Sequence, residues 1–92
     1  MLSAIDFINK HENQVEQEVK DILQEISQHL EVLGQASGEW LIKHVPFSLA
    51  PLVEKVLKKE LEKLDWACDT SSNELLGTIS FNIYPNIQNV RC

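Results

Sequence analysis

Apolar residues recur at alternating intervals of three and four over residues 3–33, and this spacing predicts one long amphipathic helix. When the segment is written as heptads, seven of the nine a and d positions are aliphatic, and Glu12 and His29 occupy the other two. The seven are Ile5, Ile8, Val15, Val19, Ile22, Ile26 and Leu33. Leu23 and Leu30 widen the apolar stripe, which favours a helical bundle over an isolated two-stranded coiled coil.

Residues suited to capping mark both ends of this helix. Ser3 can cap its start, and Gly34 can adopt the left-handed conformation that often follows a helix. A loop over residues 34–38 and a short helix over residues 38–45 are expected next. The alternative is that the first helix continues to Pro46, but two glycines within five residues favour the break.

A second amphipathic helix is predicted over residues 48–65. Ser48 can cap it, and Pro51 is tolerated in its first turn. Its apolar residues follow the spacing of one helix face, and lysine and glutamate fill the other face. The apolar residues are Leu49, Leu52, Val53, Val56, Leu57, Leu61 and Leu64.

The periodicity then changes to strict alternation, which predicts a half-buried strand over residues 75–84. Ile79, Phe81 and Ile83 share one face of this strand. A short strand over residues 66–70 would pair with it as a β-hairpin, and residues 86–92 would form a tail. Because the longer strand carries no charged residue after Gly77 to protect its edge, it requires a cover or a partner.

These elements predict an α+β fold in a single domain spanning residues 1–92. Their order is a long N-terminal amphipathic helix, a short helical turn, a second amphipathic helix and a C-terminal β-hairpin. A chain of 92 residues buries a modest fraction of its surface, so its own core is marginal. Oligomerisation would supply further apolar burial.

The net charge of −6 is concentrated at the start of the chain. Residues 1–39 contain eight acidic residues and two lysines, and Arg91 is the only arginine in the sequence. Direct nucleic-acid binding requires clustered Lys and Arg, so this distribution disfavours it. The first residues do not resemble a signal peptide, and no segment is long and apolar enough to span a membrane. With only two cysteines, the sequence favours a cytoplasmic protein.

Candidate chemistry is sparse, and we expect no enzyme activity, metal or cofactor. Glu25 and His29 share a helix face and could contact one ion, but two ligands are too few unless a dimer supplies more. A register-setting polar residue is the simpler interpretation of His29. Cys68 lacks the electropositive surroundings of a reactive cysteine, because Asp69 follows it. The three glycines fit no phosphate-binding loop.

We therefore predict a non-enzymatic protein-interaction or oligomerisation module, a homodimer assembled through helix or strand surfaces. The helix seam predicted to bind a partner comprises Val15, Val19, Ile22, Ile26, His29 and Leu33. An aromatic patch of Trp40 and Phe47 is a second candidate surface, although Trp40 could instead be an anchor of the core. The alternative function is an acidic inhibitor that occupies a basic, nucleic-acid-binding site on another protein. Its acidic face would comprise Glu16, Glu18, Asp21 and Glu25.

Overall fold

The N-terminal heptad pattern forms two consecutive helices in the computed structural model, which describes residues 2–87. Helix α1 spans Ala4–Lys10 and helix α2 spans Glu12–Leu33. The prediction of one uninterrupted helix is wrong at His11, whose backbone N–H bonds to the Ile8 carbonyl instead of continuing the α-helical pattern. The His11 ring lies against Phe7 with 4.5 Å between ring centroids, and its Nδ1 lies 3.0 Å from the Phe7 carbonyl oxygen.

Both predicted end signals of the N-terminal segment are confirmed. The Ser3 hydroxyl accepts a hydrogen bond from the Asp6 backbone N–H at 3.1 Å. Gly34 follows α2 with a φ of 71°, a left-handed conformation that glycine adopts without steric cost. Its N–H donates to the Leu30 carbonyl at 3.0 Å and so satisfies one of the last carbonyls of the helix.

Strand β1, Ala36–Leu41, replaces the predicted loop and short helix over residues 34–45. It pairs antiparallel with strand β3, Thr78–Pro85, in a register that places Ala36 opposite Ile83 and Trp40 opposite Ile79. Pairing with β3 and burial against the core outweigh the helical pattern of this segment, because local propensity is weak beside tertiary packing. Neither the short helix nor the continued first helix occurs.

The second amphipathic helix is confirmed, but with different ends. A 3₁₀ turn at Phe47–Leu49 leads into helix α3, Ala50–Glu62, with Pro51 in its first turn. The expected Ser48 cap is absent. Leu49, the last residue of the 3₁₀ turn, occupies the N-cap position of α3, and no side chain caps the helix there. Its buried residues are Ala50, Val53, Leu57 and Leu61.

The C-terminal β-hairpin is also confirmed, with different strand bounds. Strand β2 spans Trp66–Asn73, so it begins as predicted and continues three residues beyond the predicted end at residue 70. The connection follows Asn73, whose Oδ1 accepts hydrogen bonds from the backbone N–H groups of Leu75 and Leu76 at 3.1 and 3.4 Å. Gly77 completes it with a φ of 65°. Of the predicted tail, residues 88–92 lie outside the described residues.

The three strands form one antiparallel sheet in the order β1-β3-β2, which makes the fold α+β as predicted, with one strand more than expected. Helices α2 and α3 pack against the sheet face that carries Ile79, Phe81 and Ile83. The opposite face is mostly polar, with Asp69, Ser71 and Asn82 exposed along it. None of the helices within residues 2–87 is long and apolar enough to cross a membrane.

Candidate functional site

A cleft of about 320 Å³ opens between the second half of α2 and strand β1. Its apolar lining comes from Ile26 and Leu33 on the helix and from Phe81 on the central strand. Gly38 leaves the Phe81 ring accessible from the cleft, because it has no side chain over that ring. A Cβ at this position would lie 3.7 Å from Phe81 Cζ. The complete lining is Glu25, Ile26, His29, Leu33, Gln35, Ala36, Ser37, Gly38, Glu39 and Phe81.

The predicted helix seam divides into a buried part and an accessible part. Val15, Val19, Ile22 and Ile26 belong to the protein's own core, each with 3% of its surface exposed or less. His29 and Leu33 lie on the exposed end of the helix and line the cleft. Partner binding through the seam stays a prediction, and in this fold it would use the cleft end of α2.

The two residues of the predicted aromatic patch are half-buried and pack against the core. Trp40 also lines a more polar groove of about 510 Å³ on the surface of α2, together with Lys43. The Lys43 ammonium lies 4.9 Å from the centre of the Trp40 ring, a cation–π contact. Phe47 begins the 3₁₀ turn before α3, so Trp40 and Phe47 lie on different elements.

Glu18 does not belong to the exposed acidic face, because its side chain is fully buried. The other three predicted members keep solvent access: Glu16 and Glu25 are exposed, and Asp21 is half-buried. The acidic face is therefore smaller than the sequence predicts.

The buried Glu18 carboxylate holds the chain segment that follows β1. Its Oε1 accepts a hydrogen bond from the Lys43 backbone N–H at 2.6 Å and a weaker one from the His44 N–H at 3.3 Å. Its Oε2 is inaccessible to solvent and has no hydrogen-bond partner within residues 2–87. Such an oxygen is uncommon in native proteins, where buried polar atoms are usually paired.

Asp21 and His44 lie beside this carboxylate. His44 Nε2 lies 2.7 Å from Asp21 Oδ2 and 3.8 Å from Glu18 Oε2. The hydrogen bond from His44 is the main cause that lowers the pKa of Asp21 below its ordinary value, and a bond from Gln17 to Asp21 Oδ1 at 2.8 Å adds to it. The arrangement keeps Asp21 ionised and ties α2 to the segment after β1.

Glu18, Asp21 and His44 form the one group of three potential metal ligands among residues 2–87, with their ligand atoms within 4.8 Å of one another. Glu25 and His29, the pair that the sequence suggests, are exposed on α2 and do not belong to it. Sequence analysis missed His44 altogether. The sequence does indicate that Glu18 faces the core, since it lies three residues after Val15 and four before Ile22, on the apolar stripe.

Cys68 is a free, half-buried thiol on β2. Burial raises its pKa to about 11, so at neutral pH it is a protonated thiol and not the nucleophilic thiolate.

Comparison with known protein families, curated protein sequences and solved structures finds no match to this chain.

Proposed function

We propose that this protein is a non-enzymatic interaction module that forms a homodimer through strand β1 and the cleft beside it. The observation that carries the proposal is the position of β1. It lies at an edge of the sheet with no strand partner on its outer side within residues 2–87, and the apolar cleft opens directly alongside it.

The edge of β1 is open to strand addition. An edge strand offers unpaired backbone N–H and C=O groups, and proteins that avoid pairing usually place lysine, proline or a bulge there. The sequence of β1, ASGEWL, contains one charged residue, Glu39, and no lysine or proline. A second strand could hydrogen-bond along this edge while its apolar side chains enter the cleft beside Ile26 and Phe81.

Two copies of β1 can pair antiparallel with Gly38 of one copy opposite Gly38 of the other. This register keeps core-facing residues on one face of the joined sheet and keeps the two glutamates apart. This register sets Ser37 of one copy opposite Glu39 of the other, so the two glutamates do not face each other. It also sets Ala36 opposite Trp40, and both residues face the core side of the sheet. A shift by one residue would place core-facing residues opposite outward-facing ones.

The charge of the chain predicts how such a dimer responds to salt. Each copy carries a net charge of −6, so two copies repel each other at low ionic strength. Because salt screens that repulsion and leaves apolar burial intact, dimerisation should strengthen as salt is added.

Sedimentation equilibrium on a matched pair of edge variants tests the proposal. Ser37→Glu places a carboxylate on β1 opposite Glu39 of the other copy, and Ser71→Glu places the same charge at an exposed serine of β2, the other edge strand. We expect the native chain and Ser71→Glu to dimerise with rising concentration, and Ser37→Glu to remain monomeric over the same range. Circular dichroism would verify that all three chains fold alike.

A native chain that is monomeric at every concentration would contradict the proposed dimer. Equal weakening by the two glutamate variants would instead show that the β1 edge and its cleft have no special role in association.

A further inference from the structure

We propose that Glu18, Asp21 and His44 form a binding site for a divalent transition-metal ion of the Zn²⁺ class, which joins helix α2 to the segment after β1. The proposal goes beyond the proposed dimer and does not depend on it, because none of the three residues lines the β1 cleft.

The unpartnered Oε2 of Glu18 is the observation that points to a ligand. The side chain is fully buried, its Oε1 accepts hydrogen bonds from two backbone N–H groups, and its Oε2 has no hydrogen-bond partner within residues 2–87. A buried carboxylate oxygen left unpaired destabilises a fold, so a specific case in a native protein calls for a compensating group. His44 Nε2, a potential metal ligand, lies 3.8 Å from Glu18 Oε2.

The distances are close to those that a bound ion requires. Zn²⁺ binds histidine nitrogen and carboxylate oxygen at about 2.0–2.2 Å, so two ligand atoms of a tetrahedral ion lie about 3.4 Å apart. The separation of Glu18 Oε2 and His44 Nε2 is 3.8 Å, and that of Asp21 Oδ2 and His44 Nε2 is 2.7 Å. Small rotations of Asp21 and His44, which both reach solvent, would adjust these distances while Glu18 stays fixed.

The geometry of α2 brings two of the three ligands together. Glu18 and Asp21 are three residues apart on α2 and share a face of the helix. Gln17 donates to the other oxygen of Asp21, which leaves Oδ2 directed at His44. A hydrogen bond of this kind orients a metal-binding carboxylate.

The donor set selects the class of ion. One imidazole nitrogen and two carboxylate oxygens suit Zn²⁺, with the remaining position open to water. Ca²⁺ and Mg²⁺ require six or more oxygen ligands and gain little from imidazole. Lys43 opposes any cation here, since its charge is near enough to Asp21 to lower the pKa of that carboxyl. The two carboxylates outweigh this single positive charge.

Ion binding replaces the proton that His44 Nε2 shares with Asp21 Oδ2. Metal binding at Nε2 uses the nitrogen lone pair, so a proton on Nε2 is released first. A neutral ring takes up a proton from solvent at Nδ1 in exchange, and a protonated ring keeps its Nδ1 proton and loses the Nε2 proton to solvent, while Asp21 Oδ2 binds the metal in place of that proton. Because the ion binds only the folded chain, in which the three residues meet, it should raise the unfolding temperature.

Isothermal titration of the tag-free full chain with Zn²⁺ tests the site. We expect one ion per chain, a raised unfolding temperature reversed by EDTA, and no comparable effect of Mg²⁺ or Ca²⁺. His44→Gln and Asp21→Asn should each weaken Zn²⁺ binding at least about tenfold, the lower bound seen when mere orienting groups are removed. Both side chains are partly exposed, so both variants are expected to fold.

The double variant Glu25→Gln with His29→Gln is the matched control, because it removes the same chemical groups from an exposed position on the same helix. It should bind Zn²⁺ as the native chain does. Co²⁺ substitution adds a spectroscopic measurement: visible d–d bands without a thiolate charge-transfer band would agree with N/O ligation. The proposal is overturned if the native chain binds no Zn²⁺, if His44→Gln and Asp21→Asn leave binding unchanged, or if the Glu25/His29 control abolishes it.

Discussion

Helices α1 and α2 share one continuous heptad pattern, yet α1 buries no residue whereas α2 buries five. Ile5 in α1 is 69% exposed and Ile22 in α2 is fully buried, although both belong to the apolar heptad pattern, Ile5 at an a position and Ile22 at a d position. Among the seven residues of α1, only Phe7 packs against the core. The periodicity of a sequence therefore indicates an amphipathic helix, and the presence of an opposing surface decides whether its apolar face is buried.

The opposing surface for α2 is supplied by α3 and by the core face of the sheet. Ala4 to Leu33 corresponds to about 45 Å of helix, which is longer than the rest of this small chain can cover. The longest dimension of the molecule is 53 Å, and its radius of gyration of 14.1 Å exceeds the roughly 12 Å of a compact domain of this length. Helix α1 lies at the uncovered end.

The largest effect is expected where α2 meets the core. Ile22→Ala should lower the free energy of unfolding by about 2–5 kcal/mol, because it removes buried methyl groups and leaves a cavity. Urea denaturation followed by circular dichroism measures the change. A loss below about 1 kcal/mol would show that the α2 face is loosely packed and would remove the contrast with α1.

The next largest loss of stability is expected at Glu18, the buried polar residue of α2. Helix α1 has no buried residue to compare with it. Glu18→Ala should lower the free energy of unfolding by about 1.5–3 kcal/mol, since two backbone N–H groups lose a charged acceptor. Glu18→Gln should cost less, because its amide oxygen can still accept. Glu16→Ala, at an exposed position of the same helix, is the control and should change little. Equal effects of the two alanine variants in urea denaturation would contradict the role given to Glu18.

These contrasts also show how much of the fold the sequence determines. The alternation of Ile79, Phe81 and Ile83 was enough to predict β3, and the stripe of α3 was enough to predict that helix. Strand β1 was not predictable from its own residues. Its sequence contains Gly38 and little alternation, and it becomes a strand because β3 offers an edge and the core accepts Ala36 and Trp40.

The candidate sites also divide into residues that a local sequence pattern predicts and contacts that depend on tertiary packing. Leu33 and His29 could be assigned to a binding surface from the heptad pattern, because that pattern lies within one helix. The approach of His44 to Glu18 joins residues 26 positions apart, and it depends on where β1 ends. No local spacing encodes such a contact, so it appears only when the packing of β1 beside α2 is known.

A smaller change in stability should come from pH, through the contact between Asp21 on α2 and His44 in the segment after β1. Because the folded state lowers the pKa of Asp21, its contribution to stability is present above the unfolded value of about 3.9 and is lost as the pH falls through the folded value. Urea denaturation should therefore show that the native chain loses more stability than Asp21→Asn between about pH 5 and pH 2.

His44→Gln removes the main cause of the lowered pKa of Asp21, so it should reduce the same pH-dependent part of the stability. The double variant Asp21→Asn with His44→Gln should add no further change, because both substitutions act on one contact. Additive effects of the two substitutions would show that the residues act independently of each other.

The smallest effect is expected at Ile5, the α1 counterpart of Ile22. Ile5→Ala should change the free energy of unfolding by no more than about 0.5 kcal/mol, since the side chain is already 69% exposed. The proposed dimer contact lies on β1, so sedimentation should give the same dimerisation constant for this variant and the native chain. A loss of stability close to that of Ile22→Ala, or a monomeric Ile5→Ala, would place a partner surface on α1. The heptad pattern would then be an assembly surface in α1 and a core surface in α2.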